Sequence, residues 1–389
     1  MKVFLDHAST TPVRKPSLDA LVAALGEIGN PQSVHTHGQQ TRAQLEDARD
    51  ELALAVDCNR SEVIFTSGGT ESNNQAIKGI FWARNQDRKR PIVVSSAIEH
   101  HALIDPIEWL VKHEGAELVL VKLLANGEID LADLENIITK HGDDIALISL
   151  MWVNNEVGII TDIKKVTELS RGIPVHSDAV QAFGNLALSF RDSGLAAMSI
   201  SGHKFGAPIG VGALIVSRNL KPESLLHGGG QERGLRSGTM SYPLAKALSA
   251  AASAALADLA DRQEALKVLR DDFEQKLSEV IPDVKITAGD ALRVEHSSNV
   301  IIPGTKSDSM LFLLDEQGLS VSAGSACQAG VLGPSHVLMG MGYSEQDASA
   351  CLRVSFGHDS KPEDVDFAIR AIQAGYAKAI KAQAVAGRT

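Results

Sequence analysis

Two apolar stretches of this chain each lead into a side chain that could do chemistry. Asp178 closes one stretch, and Lys204 follows the next. A carboxylate that can pair with a pyridinium nitrogen and a lysine that can form a Schiff base are what a pyridoxal 5'-phosphate (PLP) enzyme requires. Both residue types are common, so a third element matters, namely Cys327, which follows Gly-Ser-Ala much further along. Together the three residues predict a PLP enzyme that also uses a thiol.

Each of these residues has a structural alternative. Asp178 could cap the turn that follows it, and Lys204 could be a solvated lysine between two strands. The segment Ser-Gly-His-Lys-Phe-Gly is flanked by apolar sequence, which favours burial of Lys204, and burial lowers the pKa of a lysine and so helps imine formation. Cys327 is the candidate nucleophile, whereas Cys58 and Cys351 fit the role of small buried hydrophobic residues better.

A glycine pair lies between a predicted strand and a predicted helix. Gly69 and Thr70 belong to the segment Ser-Gly-Gly-Thr-Glu. Glycine lets the backbone approach an anion closely, and a helix N-terminus offers unpaired N–H groups to it. The alternative is an ordinary Ser/Thr helix cap. The chain contains no Walker A sequence, which excludes a P-loop nucleotide site.

Two adjacent histidines follow the next predicted strand. In Glu-His-His, either His100 or His101 could stack on a flat cofactor or transfer protons near neutral pH. The alternative is a helix-capping or solvent-facing pair. Adjacent histidines point in different directions and make poor ligands for one metal, and no His-Glu-x-x-His sequence is present. We therefore predict no metal site.

Further candidates lie in the second half of the chain. Arg353 could clamp a substrate carboxylate with two hydrogen bonds, or it could belong to a surface ion pair. The segment Arg-Ser-Gly-Thr that ends at Thr239 could offer a cation and hydroxyl groups to a phosphate. A His-Gly-Gly-Gly run begins at His227, but no Gly-x-Ser-x-Gly elbow accompanies it, so a lipase-like hydrolase is excluded.

The length and composition of the chain are those of a large soluble globular protein. A chain of 389 residues predicts two domains. A net charge of -11 and a pI near 5.6 disfavour general nucleic-acid binding. The three cysteines show no Cys-x-x-Cys spacing, which fits a reducing compartment. No long apolar run and no apolar stretch near Met1 are present, so we expect no membrane span and a cytoplasmic protein.

Strand and helix patterns alternate through the first part of the chain. Predicted strands at 62–66, 91–95, 118–121 and 145–152 are separated by predicted helices at 74–83, 102–113 and 131–140. This alternation predicts an α/β fold with a mainly parallel sheet and ligands at the carboxyl ends of its strands. One long helical stretch follows at 242–280, and from residue 284 the chain reads as a smaller α+β unit. Strands are expected there at 298–302 and 352–356, with a helix at 362–380.

The motifs resemble, in one order, those of cysteine desulfurases of the NifS/IscS type, a PLP-dependent part of the class V aminotransferase group. The resemblance runs from Leu-Asp-His-Ala-Ser-Thr-Thr-Pro at 5–12 to Arg-Val-Ser-Phe-Gly at 353–357. Its most specific segments are Thr-Ser-Gly-Gly-Thr-Glu-Ser-Asn-Asn at 66–74, Val-Asn-Asn-Glu-Val-Gly at 153–158, Ser-Gly-His-Lys at 201–204, His-Gly-Gly-Gly-Gln-Glu-Arg-Gly-Leu-Arg-Ser-Gly-Thr at 227–239 and Gly-Ser-Ala-Cys at 324–327.

The resemblance implies a fold and a role for each motif residue. The fold would be PLP-dependent transferase fold type I, the aspartate-aminotransferase-like fold. A large PLP-binding domain would span 15–258, and a small α+β domain would consist of 1–14 and 259–389. Lys204 would bind PLP covalently, Gly69, Thr70, Ser201 and His203 its phosphate, with Thr239 reaching in from the other subunit of a homodimer. Asp178 would pair with the ring nitrogen, Gln181 with the ring hydroxyl, and His100 would stack on the ring and transfer protons. Asn155, which would also contact the cofactor, and Arg353 would hold the substrate carboxylate, assisted by Asn30, and Cys327 would accept the sulfur.

The implied reaction converts L-cysteine to L-alanine and leaves the sulfur on Cys327 as a persulfide. The sulfur would pass to an acceptor protein for iron–sulfur cluster assembly, and could also serve tRNA thiolation; Cys327 could transiently ligate a shared cluster. Ser9 and Gln328-Ala329 differ from the commonest family residues. Because these differences remove no functional group, they concern which protein accepts the sulfur rather than the reaction itself. The spacing from Cys327 to Pro334 resembles the longer-loop group and favours an iron–sulfur scaffold. The alternatives are a selenocysteine lyase, another PLP β-lyase of this fold, or a cofactor-free docking protein.

Overall fold

A computed structural model describes residues 2–324 and 333–386. The helices and strands of this part are, in chain order, β1 (Val3–Phe4), α1 (Lys15–Leu25), α2 (Thr36–Val56), β2 (Val63–Thr66), α3 (Gly69–Arg84), β3 (Ile92–Ser96), α4 (His101–Glu114), β4 (Glu117–Val121), α5 (Leu131–His141), β5 (Ile145–Ser149), α6 (Ile163–Leu169), β6 (Val175–Asp178), α7 (Phe190–Ser193), β7 (Ala197–Ser201), β8 (Gly212–Val216), α8 (Tyr242–Ala257), α9 (Leu259–Val280), β9 (Lys285–Ile286), β10 (Ser297–Ile301), α10 (Ser307–Glu316), β11 (Leu319–Ser320), α11 (His336–Gly340), α12 (Glu345–Ala348), β12 (Cys351–Ser355) and α13 (Pro362–Ala386). Within these residues, no helix combines the length and the apolar character that crossing a bilayer requires.

The largest sheet in the described residues has seven strands in the order β2-β8-β7-β6-β5-β3-β4. Strands β4, β3, β5, β6 and β7 run parallel, which confirms the predicted α/β class with a mainly parallel sheet. Strand β8 is antiparallel to both of its neighbours. It follows β7 after residues 202–211 only, and a parallel partner would need a crossover of about a dozen residues or more.

Apolar cores lie against this sheet and account for its buried strands. One core combines side chains of the sheet with α1, α2 and α8, and another combines the sheet with α3 and α4. Strands β2, β3, β5, β6, β7 and β8 are buried along their whole length. Parallel strands that are covered in this way read as continuous apolar runs, which is why the sequence pattern identified them.

Several predicted boundaries were wrong. The helix expected from residue 74 begins at Gly69, so the Gly-Gly-Thr segment forms its first turn. The strand expected to reach 152 ends at Ser149. The helical stretch at 242–280 is two helices, because the chain turns at Asp258, whose φ and ψ are -106° and 7°. The Asp258 carboxylate accepts a hydrogen bond from Arg14 at 2.8 Å, and α8 packs on α1 and α2 whereas α9 packs on α13.

A separate apolar core joins the two parts of the chain that the small domain was predicted to contain. Val3 and Leu5 pack in one cluster with side chains of α9, α10, α13 and β12. Strand β1 pairs in parallel with β11, and Asp6 forms a bridge with Ser355. On these contacts we propose the division into a large domain at 15–258 and a small domain made of 1–14 and 259–389.

Candidate active site

The carboxyl ends of neighbouring strands meet at one pocket. Strands β6 and β7 end at Asp178 and Ser201, and Gly69, His100 and Asn155 follow β2, β3 and β5. These ends surround a cavity of about 250 Å³. Ten of the predicted site residues line it: Gly69, Thr70, His100, Asn155, Asp178, Gln181, Ser201, His203, Lys204 and Arg353. The position agrees with the rule that open α/β sheets bind ligands at the carboxyl ends of their strands.

Two predicted residues that the structure describes, Asn30 and Thr239, do not join them. Asn30 is exposed, and its Oδ1 accepts a hydrogen bond from the backbone N–H of Gln32 at 2.9 Å. Thr239 is exposed and does not line the pocket. Cys327 lies outside the described residues.

Asp178 presents a buried carboxylate to the pocket. Its side chain is 5% exposed. Oδ1 accepts from the backbone N–H of Val180 at 2.9 Å, so the turn-capping interpretation also holds. Oδ2 accepts from Nδ2 of Asn73 at 2.6 Å. Asn73 was not predicted, although it lies four residues after Gly69 and thus on the same face of α3.

Lys204 is not a solvated lysine. It follows β7 in a short 3-10 turn, lines the pocket, and its Nζ donates to the backbone carbonyls of Ala8 at 2.8 Å and Ser9 at 2.6 Å. Gln181 also donates to the carbonyl of Ala8, at 2.7 Å. The N-terminal segment therefore forms one wall of the pocket through backbone atoms, for which residue types give no sequence signal.

The glycine pair and the segment after β7 form one end of the pocket. Gly69 begins α3, so the first N–H groups of this helix have no intrahelical acceptor. A Cβ atom on Gly69 would lie 2.7 Å from Val180 Cγ2, so a larger residue does not fit there. Burial, together with the charge of Lys204, lowers the pKa of His203 to about 4. Unpaired N–H groups beside the Ser201 hydroxyl and the neutral His203 ring suit a bound phosphate group.

His100 and His101 point in different directions, as predicted. His100 caps α4, with Nδ1 accepting from the backbone N–H of Ala102 at 3.0 Å, and it also lines the pocket. Burial lowers its pKa, an effect that the charge of Lys204 adds to and that of Asp178 opposes. The imidazole is therefore neutral near pH 7, and its proton is on Nε2 because Nδ1 is an acceptor. The ring of His101 instead packs against His336, at 4.8 Å between centroids.

Arg353 forms a buried ion pair, so its interpretation as a surface residue was wrong. It is 4% exposed, and Nη2 pairs with Asp6 Oδ1 at 2.8 Å. Nη1 donates to the backbone carbonyl of Asn155 at 2.8 Å. These contacts fix the plane of the guanidinium on the pocket wall, as binding of a carboxylate requires.

Buried polar atoms without a hydrogen-bond partner test whether a polar ligand fits. Ten such atoms occur in the described part of the chain, and four of them, Asn73 Oδ1, Asn155 Oδ1, His203 Nδ1 and Arg353 Nε, belong to residues that line this pocket. Buried polar groups are rarely left unpaired. These four atoms fit a polar ligand with both donors and acceptors, such as PLP together with an amino acid.

The other cysteines that the structure describes are poor nucleophiles. Burial raises the pKa of the Cys58 thiol to about 12 and that of Cys351 to about 11. The thiolate is the reactive form, so neither competes with a thiol of ordinary pKa. Among the described residues, no group of three or more His, Cys, Asp or Glu side chains is placed to hold a metal ion.

Glu99, the residue before His100 in the chain, is a buried acid. Its carboxyl group accepts from Ser96 Oγ at 2.7 Å and from the backbone N–H of Met151 at 2.9 Å. Burial, with a smaller contribution from the charge of Asp178, raises its pKa to about 8 against these hydrogen bonds. At pH 7 this side chain is therefore a neutral acid in the folded protein.

The Glu99→Gln substitution should change how stability depends on pH. Between the ordinary pKa of 4.5 and the raised value of about 8, the folded protein binds a proton that the unfolded chain does not. The contribution of Glu99 is therefore complete below pH 4.5 and is lost as pH rises to 8, with a limiting slope of about 1.4 kcal/mol per pH unit. Glutamine has the shape of the neutral acid and does not titrate. Thermal unfolding from pH 5 to 8 should show a gain for E99Q over wild type that grows with pH; a constant difference contradicts the assignment.

Comparison with known proteins places the chain in a family. Residues 3–367 match the family model described as aminotransferase class-V. An IscS-like cysteine desulfurase of Mycobacterium tuberculosis is 43% identical over 383 residues, which cover 97% of each chain. Cysteine desulfurase IscS of Dictyoglomus turgidum is 36% identical over 375 residues, 96% of this chain and 94% of the relative. A solved structure of a NifS-like protein superposes with a TM-score of 0.89 at 29% identity, covering 96% of this chain and 99% of the other. The chain therefore belongs to the class-V aminotransferase family, within its NifS/IscS group of cysteine desulfurases.

Proposed function

We propose that this protein is a PLP-dependent cysteine desulfurase that converts L-cysteine to L-alanine and receives the sulfur on Cys327. The observation that carries the proposal is the single pocket that combines Lys204, Asp178 and Arg353. An amine, a carboxylate for a ring nitrogen and a clamp for an α-carboxylate are the groups that an amino-acid-transforming PLP enzyme needs. The family to which the chain belongs supports the same chemistry.

The cofactor would lie across the pocket from the start of α3 to Asp178. Lys204 would bind it covalently. Its phosphate would be bound by Gly69, Thr70, Ser201 and His203, and its ring would be contacted by Asp178, Gln181 and His100. When bound, PLP supplies an electron sink for negative charge at the substrate α-carbon. A buried Asp178 carboxylate that is fixed by Asn73 and Val180 would keep the ring nitrogen protonated, which strengthens that sink.

The chain's own residues would bind and orient the substrate. Arg353, held by Asp6 and by the carbonyl of Asn155, would bind the carboxylate of L-cysteine through the guanidinium edge that carries the unpaired Nε. The Asn155 side chain lines the same pocket, and its amide NH2 group would donate to the substrate carboxylate. Neutral His100 carries its proton on Nε2, where it would be able to donate into the pocket.

Cys327 would complete the reaction. Its sulfur forms a bond to the substrate sulfur while the bond between that sulfur and the substrate β-carbon breaks. The electron pair of the broken bond stays with carbon, which takes up a proton and becomes the methyl group of alanine. The net change adds one sulfur atom to the thiol as a persulfide, one of the reversible states of cysteine. We further propose that the sulfur passes to an iron–sulfur scaffold and also serves tRNA thiolation. The protein would work in a reducing cytoplasm.

A homodimer is the proposed assembly. Helix α1 and the loop after it carry exposed apolar side chains, namely Leu18, Val22, Leu25, Ile28 and Val34, which are 48–88% exposed. An exposed apolar patch of this kind is typical of a protein interface. Thr239 is exposed and lies outside the pocket of its own chain, so a phosphate contact by Thr239 would have to come from the partner subunit.

Alanine formation from L-cysteine tests the proposal. Protein that has been reconstituted with PLP should release alanine and sulfide from L-cysteine in the presence of a thiol reductant. The Cys327→Ser variant should lose most of this activity, by at least about a hundredfold, because the sulfur acceptor is gone while the pocket is intact. Unchanged alanine formation by the variant would point to a lyase that releases sulfur without an enzyme thiol.

A further inference from the structure

Glu156 is a buried acid that the proposed reaction leaves without a role. It is 1% exposed and follows Asn155 in the turn formed by residues 155–157. Its Oε2 accepts a hydrogen bond from Ser335 Oγ at 2.5 Å. Burial raises its pKa, against the hydrogen bond of Ser335 and the charges of His336 and Arg353. Burial of a carboxyl group costs free energy, so a buried acid such as Glu156 is expected to have a function.

The residues on either side of the Cys327 segment, Gly324 and Ser335, both contact Glu156. Gly324 packs so closely that a Cβ atom there would lie 2.1 Å from Glu156 Oε2 and 3.0 Å from Ser335 Cβ. Ser335 is the hydrogen-bond donor already described. Gly324 has no left-handed φ in this structure, so glycine is needed at this position for close approach rather than for backbone conformation. One side chain thus holds together two residues that stand on either side of residues 325–332.

The same cluster reaches the pocket through His336. Its Nε2 is 2.8 Å from the carbonyl oxygen of Glu99, the residue before His100. Its Nδ1 lies 4.0 Å from Glu156 Oε1. In the opposite direction, the backbone N–H of Glu156 donates to Asn154 Oδ1 at 2.9 Å, next to the pocket residue Asn155. Glu156 and His336 therefore join Gly324 and Ser335 to the backbone next to two pocket residues, His100 and Asn155.

We propose that Glu156 is a positioning residue that holds the flanks of residues 325–332 in register with the pocket, so that the Cys327 sulfur reaches the substrate. The inference rests on the proposed function, because it assigns Cys327 the role of sulfur acceptor. Loss of the contact with Glu156 would shift Gly324 and Ser335, and a misplacement of about 1 Å near a reacting group can cost about 100-fold in rate. The side chain of Arg353 is fixed by Asp6 and by the carbonyl of Asn155 rather than by Ser335. The effect should therefore fall on sulfur transfer rather than on substrate binding.

A pair of serine variants provides a matched test. Ser335→Ala removes the hydrogen bond to Glu156, but it also removes the cap of α11, since the backbone N–H of Leu338 donates to Ser335 Oγ. Ser344→Ala removes an equivalent cap from α12, where the N–H of Asp347 donates to Ser344 Oγ, and Ser344 is exposed. The two variants lose the same kind of cap, worth about 1 kcal/mol, and differ in the contact with Glu156.

Steady-state kinetics with L-cysteine and alkylation of Cys327 are the two readouts. Ser335→Ala should lower kcat about 10- to 100-fold with KM within about threefold, and should change the rate of Cys327 alkylation by iodoacetamide. Ser344→Ala should keep both values within about twofold of wild type. Peptide mass analysis assigns the alkylation, and the raised pKa values of Cys58 and Cys351 keep those thiols slow.

Glu156→Gln and Glu156→Ala complete the series. Glutamine keeps the size of the side chain and an acceptor oxygen for Ser335, so it should retain more activity than alanine. Equal losses in Ser335→Ala and Ser344→Ala, a kcat of Ser335→Ala within twofold of wild type, or a loss confined to KM each overturn the positioning role. If Glu156→Ala fails to fold, the serine pair decides the question. If wild-type protein forms no alanine, the proposed function fails, whereas the alkylation rates still test whether Glu156 and Ser335 control access to Cys327.

Discussion

Lys204→Ala should reduce alanine formation from L-cysteine by at least about a thousandfold, because it removes the only group proposed to attach the cofactor. Lys204 lines the pocket, and its Nζ donates to the carbonyl groups of Ala8 and Ser9. These contacts keep the amine at a fixed place from which it can react with an aldehyde. Borohydride reduction of wild-type protein loaded with PLP should leave the cofactor mass on the peptide that contains residue 204.

Lys204→Arg is the matched control for charge. A guanidinium keeps the positive charge and the hydrogen-bond donors, but it stays protonated and forms no Schiff base. Both variants should therefore lose activity to the same extent, and neither should keep cofactor mass after reduction. Activity of Lys204→Arg near that of wild type would mean that Lys204 acts only as a charge, and covalent attachment would have to be abandoned.

Arg353→Lys should raise KM for L-cysteine about 10- to 100-fold, which corresponds to the loss of a charge-assisted hydrogen bond worth about 1.5–3 kcal/mol. Lysine keeps a charge for the buried Asp6 carboxylate, but it cannot form two parallel hydrogen bonds in a fixed plane. The guanidinium is held in that plane by Asp6 and by the carbonyl of Asn155. Initial rates over a range of L-cysteine concentrations separate KM from kcat.

Arg293→Lys is the matched control for Arg353→Lys. Arg293 also forms an ion pair of low exposure, with Glu274 at 2.8 Å, but it does not line the pocket. The control should lose some thermal stability and keep its KM. A similar rise of KM in both variants, or none in Arg353→Lys, contradicts a direct role of Arg353 in binding the substrate carboxylate.

The parts of the site that follow strands were predictable from the sequence, and the parts that depend on distant segments were not. Asp178 and Lys204 were identified because Asp178 ends, and Lys204 closely follows, an apolar run that is typical of a buried strand. Asn73 was missed although its spacing from Gly69 carries a helical signal. The contacts of Ala8 and Ser9 use backbone carbonyl groups, which no residue type announces.

Tertiary contacts also explain the errors in the fold. The pairing of Asp6 with Arg353 joins residues at opposite ends of the chain, so local patterns could not reveal that Arg353 is buried in an ion pair. The break at Asp258 lies in an alanine-rich stretch of high helix propensity. Its carboxylate pairs with Arg14 of the N-terminal segment, and the two helices pack on different cores. Local propensity is a weak guide where tertiary packing decides.

Intact-mass analysis of the PLP-loaded protein after a short incubation with L-cysteine tests the central claim most directly. We expect a gain of one sulfur atom in wild-type protein, located on the peptide that contains Cys327, reversed by reductant and accompanied by alanine. The Cys327→Ser variant should gain no sulfur. Alanine release at the wild-type rate without any sulfur on Cys327 would contradict the account.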